Sequence, residues 1–330
     1  MYVSIIINNY NYDRWLGEAI DSALQQDYAD IEVIVVDDGS TDNSRAIIHR
    51  YGDKIRAVFQ DNGGQGSTYN AGFAVSRGDI VLFLDADDRL HPHCVSEIVP
   101  YFKPCVSKVQ FGLNLIDEKG QPLGRPVLTA HAEPTTIPTL LRQFLFYPSP
   151  PGSGNAYTRE CVAKRMPLSA ERWKINADTH LIFAAPLDGE VVDLDVSLGD
   201  YRRHVQGASA KSTEDMDNYV AKEYEKMVNA RNYVAELLRL SPEDALKRNY
   251  ACSPVHLKIE VAETLSCRHV NAGFSEKLRL LTESFRTARG WTPWSWPKRW
   301  ALPFWVLLAC ILPRTLRVHF FTVSLTHSGY

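Results

Sequence analysis

Three apolar segments of this chain each end in a polar, mostly acidic cluster. Val3–Ile7 runs into Asn8-Asn9-Tyr10, Ile31–Val36 into Asp37-Asp38-Gly39-Ser40, and Ile80–Leu84 into Asp85-Ala86-Asp87-Asp88. Near-continuous β-branched runs suit strands buried on both faces. Asp13 to Gln26 carries Leu16, Ile20, Ala23 and Leu24 on one helical stripe. A helix-like stretch follows Asp42 as far as Tyr51, Ile55–Phe59 reads as another strand, and Ser67–Ser76 as a short helix. This rhythm predicts an α/β fold with a mostly parallel, Rossmann-like sheet flanked by helices. Ligands of such sheets bind beyond the carboxyl ends of the strands, so the three clusters are expected along one edge.

Farther along, Val106–Ile116 and Val191–Val196 read as strands, the second leading into Tyr201-Arg202-Arg203-His204. Asp117 to Gly120 reads as a turn and Pro148 to Gly154 as a loop. Gly63-Gly64-Gln65-Gly66 fits neither G-x-G-x-x-G nor a G-x-x-x-x-G-K-[ST] phosphate loop, and is expected to be flexible. Residues 212–290 are helix-rich in pattern, with Met216, Tyr219, Val220 and Tyr224, Met227, Val228 at helical spacing. Ser241-Pro242-Glu243-Asp244 resembles a helix start. The end differs again: Trp291, Trp294, Trp296, Trp300 and Trp305 stand among Lys298, Arg299, Arg314 and Arg317. Two readings stay open for it: a membrane interface, or a segment packed on the protein. The apolar run Ala301–Leu312 is too short to span a bilayer.

With 45% hydrophobic and 23% charged residues, the chain is neither disordered nor fibrous. Its net charge of -3 argues against nucleic acid as a partner. Cys94, Cys105, Cys161, Cys252, Cys267 and Cys310 are scattered without a C-x-x-C pair, which points to a reducing, cytoplasmic setting. The strand-like start carries no basic leader, so no signal peptide is expected.

Two close carboxylates repel unless protons or a cation neutralise them. Asp85-x-Asp87 could therefore hold a hard divalent ion, Mg²⁺ or Mn²⁺, together with diphosphate oxygens. The plainer alternative is a solvated turn with Asp88 capping the next helix. Asp38 could accept from a nucleoside or cap a helix. Ser40, Thr41 and Asp42 compete for that cap.

Taken in order, Asn8-Asn9-Tyr10-Asn11, Val35-Val36-Asp37-Asp38-Gly39-Ser40-Thr41-Asp42, Gln60-Asp61-Asn62-Gly63-Gly64 with Asn70-Ala71-Gly72, and Phe83-Leu84-Asp85-Ala86-Asp87-Asp88 resemble glycosyltransferase family 2. The match is close over residues 1–100 and looser to about 205. The resemblance implies a GT-A fold. It also implies transfer of a sugar, with inversion, from a nucleotide-diphosphate sugar, by default a UDP-sugar. It assigns Asn9, Tyr10 and Asp38 to the base, Asp85 to the ribose and Asp87 to the metal, with Asn62 and Asn70 shaping the nucleotide loop. Members often carry Arg where this chain has Tyr69, so a basic phosphate contact is missing there. The family takes its base from an acidic residue before a helix. The matching Ile175-Asn176-Ala177-Asp178-Thr179-His180-Leu181 nominates Asp178, with Ala177 where Glu is usual. Asp188 and Asp193 are rivals, and a helix cap is the structural alternative. Tyr201-Arg202-Arg203-His204 with Ser209 resembles the family's Tyr-Arg-x-His segment, which implies Arg203 at the diphosphate and His204 at the metal. His91, His93 and His180 read as surface or supporting residues.

These readings divide the chain into a catalytic domain over 1–210, a helical extension over 211–290 and a tail over 291–330. The implied partners are a nucleotide-sugar donor and a glycan or lipid-linked acceptor, with a membrane surface if the tail binds one. Two alternatives compete. A nucleotidyltransferase would need a Gly-rich loop with a cation after the first strand, and Asn8–Asn11 holds none. A non-catalytic protein with a degenerate site draws only on Ala177.

Overall fold

The structure is a computed structural model that describes residues 1–127, 131–204, 213–241, 253–265, 273–312, 316–317 and 320–321. Ser209, Pro242-Glu243-Asp244, Cys252, Cys267 and Arg314 lie outside the described residues. Two compact units form. One comprises Met1–Pro134 with Ser149–Arg203, the other Thr135–Pro148 with His204–Tyr330.

The first unit begins β1 (Val3–Asn9), α1 (Asp13–Leu24), β2 (Ile31–Asp38), α2 (Ser44–Arg50), β3 (Arg56–Gln60), α3 (Gln65–Val75) and β4 (Ile80–Asp85). It continues with β5 (Arg89–Leu90), α4 (Cys94–Ile98), β6 (Val106–Ile116) and β7 (Pro122–Pro126). The chain then passes through α5 (Ile137–Phe144), which belongs to the second unit. It returns for β8 (Asn155–Thr158), α6 (Arg159–Ala163), α7 (Asp178–Asp188) and β9 (Glu190–Arg202).

The sheet runs β3-β2-β1-β4-β8-β6-β9-β5, with β7 beside β6. Strands β1 to β4 are parallel, as their apolar runs predict, and β6 runs parallel to β9. Strand β8 is antiparallel to both β4 and β6, making the sheet mixed. Four residues inside a Gly/Pro-rich stretch are too few to show a period, which is why the sequence does not announce it. Val3, Ile5 and Ile7 are fully buried and pack in one core with Leu16, Ile20, Leu82 and Leu84. That burial holds the strand ends, and the polar clusters beyond them, in fixed register.

In the second unit, α5 is joined by α8 (Thr213–Leu237), α9 (Pro254–Leu265), α10 (Phe274–Gly290) and α11 (Trp296–Ile311). Val220, Leu257, Val261, Leu280, Leu302, Val306 and Ala309 form its core. Trp291 is buried edge-on to Phe144, with ring centroids 5.2 Å apart. Among the described residues no helix is long and apolar enough to cross a membrane.

Candidate active site

Register places the three polar clusters side by side. Asn9 pairs with Asp37, Asn8 with Asp85, and Asp38 with Gln60. The Asn8 amide donates to Asp85 Oδ1 at 2.9 Å. The predicted edge is therefore real, and its centre is the end of β4.

Two residues from distant segments hold that end. Ser153 Oγ accepts the Asp85 N–H at 3.1 Å and donates to Asp88 Oδ2 at 2.6 Å. Arg202 is buried. Its N–H donates to Asp88 Oδ1 at 2.9 Å, its Nε to the Asp87 carbonyl at 2.9 Å, and its Nη2 to Glu18 at 2.6 Å. Asp88 thus ties the acidic loop to β9 and does not cap α4, which corrects the capping alternative. The Arg202 guanidinium likewise fixes the loop's backbone from within the protein.

Asp178 arrives from the other side, in the first turn of α7. Gln65 links the two arms. Its Nε2 donates to Asp85 Oδ1 at 3.4 Å, and its Oε1 accepts the Ala177 N–H at 2.9 Å. The N–H groups of Gln65 and Gly66 donate to the Lys174 and Trp173 carbonyls at 2.9 and 2.8 Å. Gly64 has φ +84°, and a Cβ there would lie 2.7 Å from the Lys174 carbonyl oxygen. The glycine run is therefore a close-packed seam and not the flexible loop expected from composition. Glycine serves here for backbone approach.

The electrostatics show how closely the groups converge. Burial, then Asp87 and Asp178, push the Asp85 carboxyl up to about 7. Burial, Asp87 and Asp85 raise Asp88 well above the usual carboxylate range. Asp178 is also raised, chiefly by burial, although the N–H groups of Thr179 and Gly152 donate to it. Tyr201 is raised by burial and then by Asp88, Asp87, Asp85 and Asp178, so one phenol senses all four carboxylates. Tyr12 is raised by burial and then by the first three.

Tyr69 is 1% exposed and stacks on Phe83 at 3.9 Å. Burial, Asp85 and Asp178 raise its hydroxyl. A Cβ on Gly152 would lie 3.3 Å from both the Tyr69 hydroxyl and Asp178 Cβ, so a side chain there would crowd both groups. Among the described residues that hydroxyl has no hydrogen-bond partner. It is a neutral donor facing the acidic centre.

Asp85, Asp87 and Asp88 are hard oxygen donors whose mutual repulsion a divalent cation would relieve, so the donor set suits Mg²⁺ or Mn²⁺. No group of three or more His, Cys, Asp or Glu side chains among the described residues closes on one point. An ion here would draw most of its shell from diphosphate oxygens and water.

Comparison with known proteins identifies the family. Residues 4–146 match glycosyl transferase family 2. An uncharacterized glycosyltransferase of Nostoc sp. is 38% identical over 229 residues, covering 65% of this chain and 70% of that protein. The chain belongs to glycosyltransferase family 2. Two solved structures share the GT-A fold. TarS 1-349 of S. aureus, in complex with UDP-GlcNAc, is 16% identical and covers 99% of this chain and 91% of its own, at a TM-score of 0.52. The mannosyltransferase PcManGT of Pyrobaculum calidifontis, in complex with GDP-Man and Mn²⁺, is 16% identical and covers 99% and 86%, also at 0.52.

Not every residue carried over from the family faces this centre. Asp38 is 2% exposed, and its carboxylate accepts from Gln60 Nε2 and the N–H groups of Gly63 and Gly64 at 2.6, 2.9 and 2.8 Å. Asn70 spends both polar ends on the Leu168 backbone, at 2.9 and 2.7 Å, and so ties α3 to that segment. Asn9 is buried and donates to Asp37 and Ser40. Tyr10 and Asn62 are exposed. Asp42, just before the start of α2, accepts the Ser44 N–H at 2.9 Å.

Arg203 is half-buried at the end of the first unit, and His204 is buried at the start of the second. The rival bases are occupied elsewhere. Asp188 pairs with Arg165 at 2.7 Å, and Asp193 accepts from His131 and the Ala132 N–H. His91 and His93 sit on Asp200 and Asp27, whereas burial lowers His180 to about 4. Sequence reasoning missed Gln65, Ser153 and Arg202 as site builders. The basic character of Tyr201-Arg202-Arg203-His204 was a signal for the last of these.

Proposed function

We propose that the chain is an inverting, metal-dependent transferase. It moves a hexosyl group from a nucleotide-diphosphate sugar, by default a UDP-sugar, to a hydroxyl of a glycan or lipid-linked acceptor in polysaccharide or envelope synthesis. The observation that carries this reading is the convergence of Asp85, Asp87, Asp88 and Asp178 beyond the ends of β1 and β4.

Asp85 contacts the ribose, and Asp87 would hold Mg²⁺ or Mn²⁺. When bound, that ion neutralises charge on the departing diphosphate. Asn9 and Asp38 set the backbone of the base-binding loop, and Tyr10 and Asn62 offer their side chains from its rim. Arg203 supplies positive charge to the diphosphate, and the Tyr69 hydroxyl donates where relatives use a cation. Asp178 is the base. As the acceptor oxygen bonds to the anomeric carbon, the bond from that carbon to the diphosphate breaks on the opposite face. The acceptor proton passes to the Asp178 carboxylate, and the nucleoside diphosphate leaves. Burial supports this role, because a carboxylate above its ordinary range is a stronger base. The free thiols Cys94, Cys105, Cys161 and Cys310 support a cytoplasmic site of action.

Isothermal titration of UDP with and without Mn²⁺, followed by turnover assays across nucleotide sugars, tests the reading. Metal-dependent binding with donor hydrolysis or transfer is expected. Absence of both overturns it. Ala177, in place of the usual acidic residue, favours a second reading as a non-catalytic donor-binding protein. Full UDP affinity with no turnover on any donor and acceptor would select that one.

A further inference from the structure

Helix α11 is apolar on two sides. Leu302, Val306 and Ala309 are buried in the core of the second unit. On the other side Trp296, Phe304, Leu307, Leu308 and Ile311 are exposed, Phe304 by 74% and Ile311 by 68%. Their spacing aligns them along one stripe. Phe274, Leu278 and Phe285 on α10 are exposed too, again at helical spacing. Phe285 and Trp296 each lie 6.3 Å from Trp300, ring to ring, so the two helices share one ridge. A helix facing water ordinarily carries polar residues on that side. An exposed apolar ridge of this kind marks an interaction site.

The charge pattern selects the occupant. Glu283 is the last acidic residue of the sequence, and Arg286, Arg289, Lys298, Arg299, Arg314 and Arg317 follow it. Arg286, Arg289 and Lys298 are exposed. A basic end on a chain of net charge -3 is a segregated field. A two-fold pairing of this face with a second copy would set like charges against each other. Tryptophans beside cations suit the headgroup layer of a bilayer, where an amphipathic ring keeps its N–H wet. The 16-residue α11 is too short to cross a bilayer.

We propose that the α10–α11 ridge seats the protein on an anionic bilayer surface. Trp296, Phe304 and Ile311 enter the headgroup layer, and Arg289 and Lys298 meet the lipid phosphates. The inference rests on the second unit alone, so it can fail while the transferase reading stands.

Sedimentation of the full chain with phosphatidylcholine vesicles, and with vesicles containing phosphatidylglycerol, tests it. Binding to the anionic vesicles is expected, weakening as salt is added. The Lys298→Glu/Arg289→Glu variant should bind them about tenfold or more weakly. Phe304→Ser/Ile311→Ser alters only exposed side chains and should lose the same binding while keeping its circular dichroism and its UDP affinity. A blue shift of tryptophan emission on vesicle addition, reduced in Trp296→Phe, would add support. Equal or no pelleting with the two vesicle types would overturn the proposal. So would a lipid-free dimer in light scattering that Phe304→Ser dissolves, because the ridge would then belong to a second copy.

Discussion

Asp37 and Asp38 close β2, and Asp85 and Asp87 with Asp88 close or follow β4; the same residue type at the same sheet edge is used in opposite ways. Asp37 accepts from Asn9, Ser40 and Arg45, and Asp38 from Gln60, Gly63 and Gly64. At β4, Asp85 and Asp88 also accept hydrogen bonds, yet burial and their acidic neighbours still raise both. A carboxylate matched by fixed donors is part of the scaffold. A carboxylate left in the field of others is where an outside cation or proton gains most.

The contrast can be broken by substitution. The largest effect is expected for Asp178→Asn, which should lower kcat by roughly 10²- to 10⁴-fold, the contribution typical of a general base. UDP affinity should be unchanged, so titration and turnover together separate a catalytic carboxylate from a structural one. Asp87→Ala comes next. It should abolish the Mn²⁺-dependent part of UDP binding and the rise in melting temperature that Mn²⁺ gives the parent protein. Asp38→Ala should instead act on the fold. It leaves the N–H groups of Gly63 and Gly64 without their acceptor and should cost about 1–3 kcal/mol in denaturant unfolding. If it removes metal-dependent binding at unchanged stability, the contrast is wrong.

Proton linkage sharpens the picture. The folded pKa of Asp178 lies above its ordinary 3.8, so the fold holds that proton more tightly than the unfolded chain does. Its contribution to stability is present at low pH and is lost as pH rises through the folded value. Asp178→Asn should flatten that slope and raise the melting temperature at neutral pH while slowing transfer. Transfer by the parent protein should fall on the acid side, at a higher pH than an ordinary carboxylate would give. The smallest effect is expected for Tyr69→Phe. Removing an unpartnered buried hydroxyl should leave the ligand-free protein as stable or about 1 kcal/mol more so. Donor KM should nonetheless rise. An unchanged KM would confine Tyr69 to packing on Phe83.

What the sequence disclosed follows from the range of the forces involved. The runs Val3–Ile7, Ile31–Val36 and Ile80–Leu84 are local signals, and each became a strand of the parallel half. Their shared edge follows from topology alone, so the neighbourhood of Asn8, Asp38 and Asp85 was legible. Asp178 came only from the family resemblance, since nothing local distinguishes it from a helix cap. Gln65, 112 residues from Ala177, has a role written entirely in a distant contact. Glycine between polar residues reads as freedom when the neighbouring backbone cannot yet be seen, and Gly64 shows the opposite use. Arg202 was legible as a charge but not as a buried one, because burial depends on Glu18 and the Asp87 carbonyl.

The Gln65 side chain touches both Asp85 and the turn that opens α7, so it works as a strut. The spacing between the carboxylate proposed to meet the donor and the one proposed to meet the acceptor is set before either substrate arrives. Binding then need not organise that distance, and the entropy of aligning the two reacting partners is met in part during folding. Gln65→Ala should therefore penalise the rate of transfer more than the affinity for either substrate.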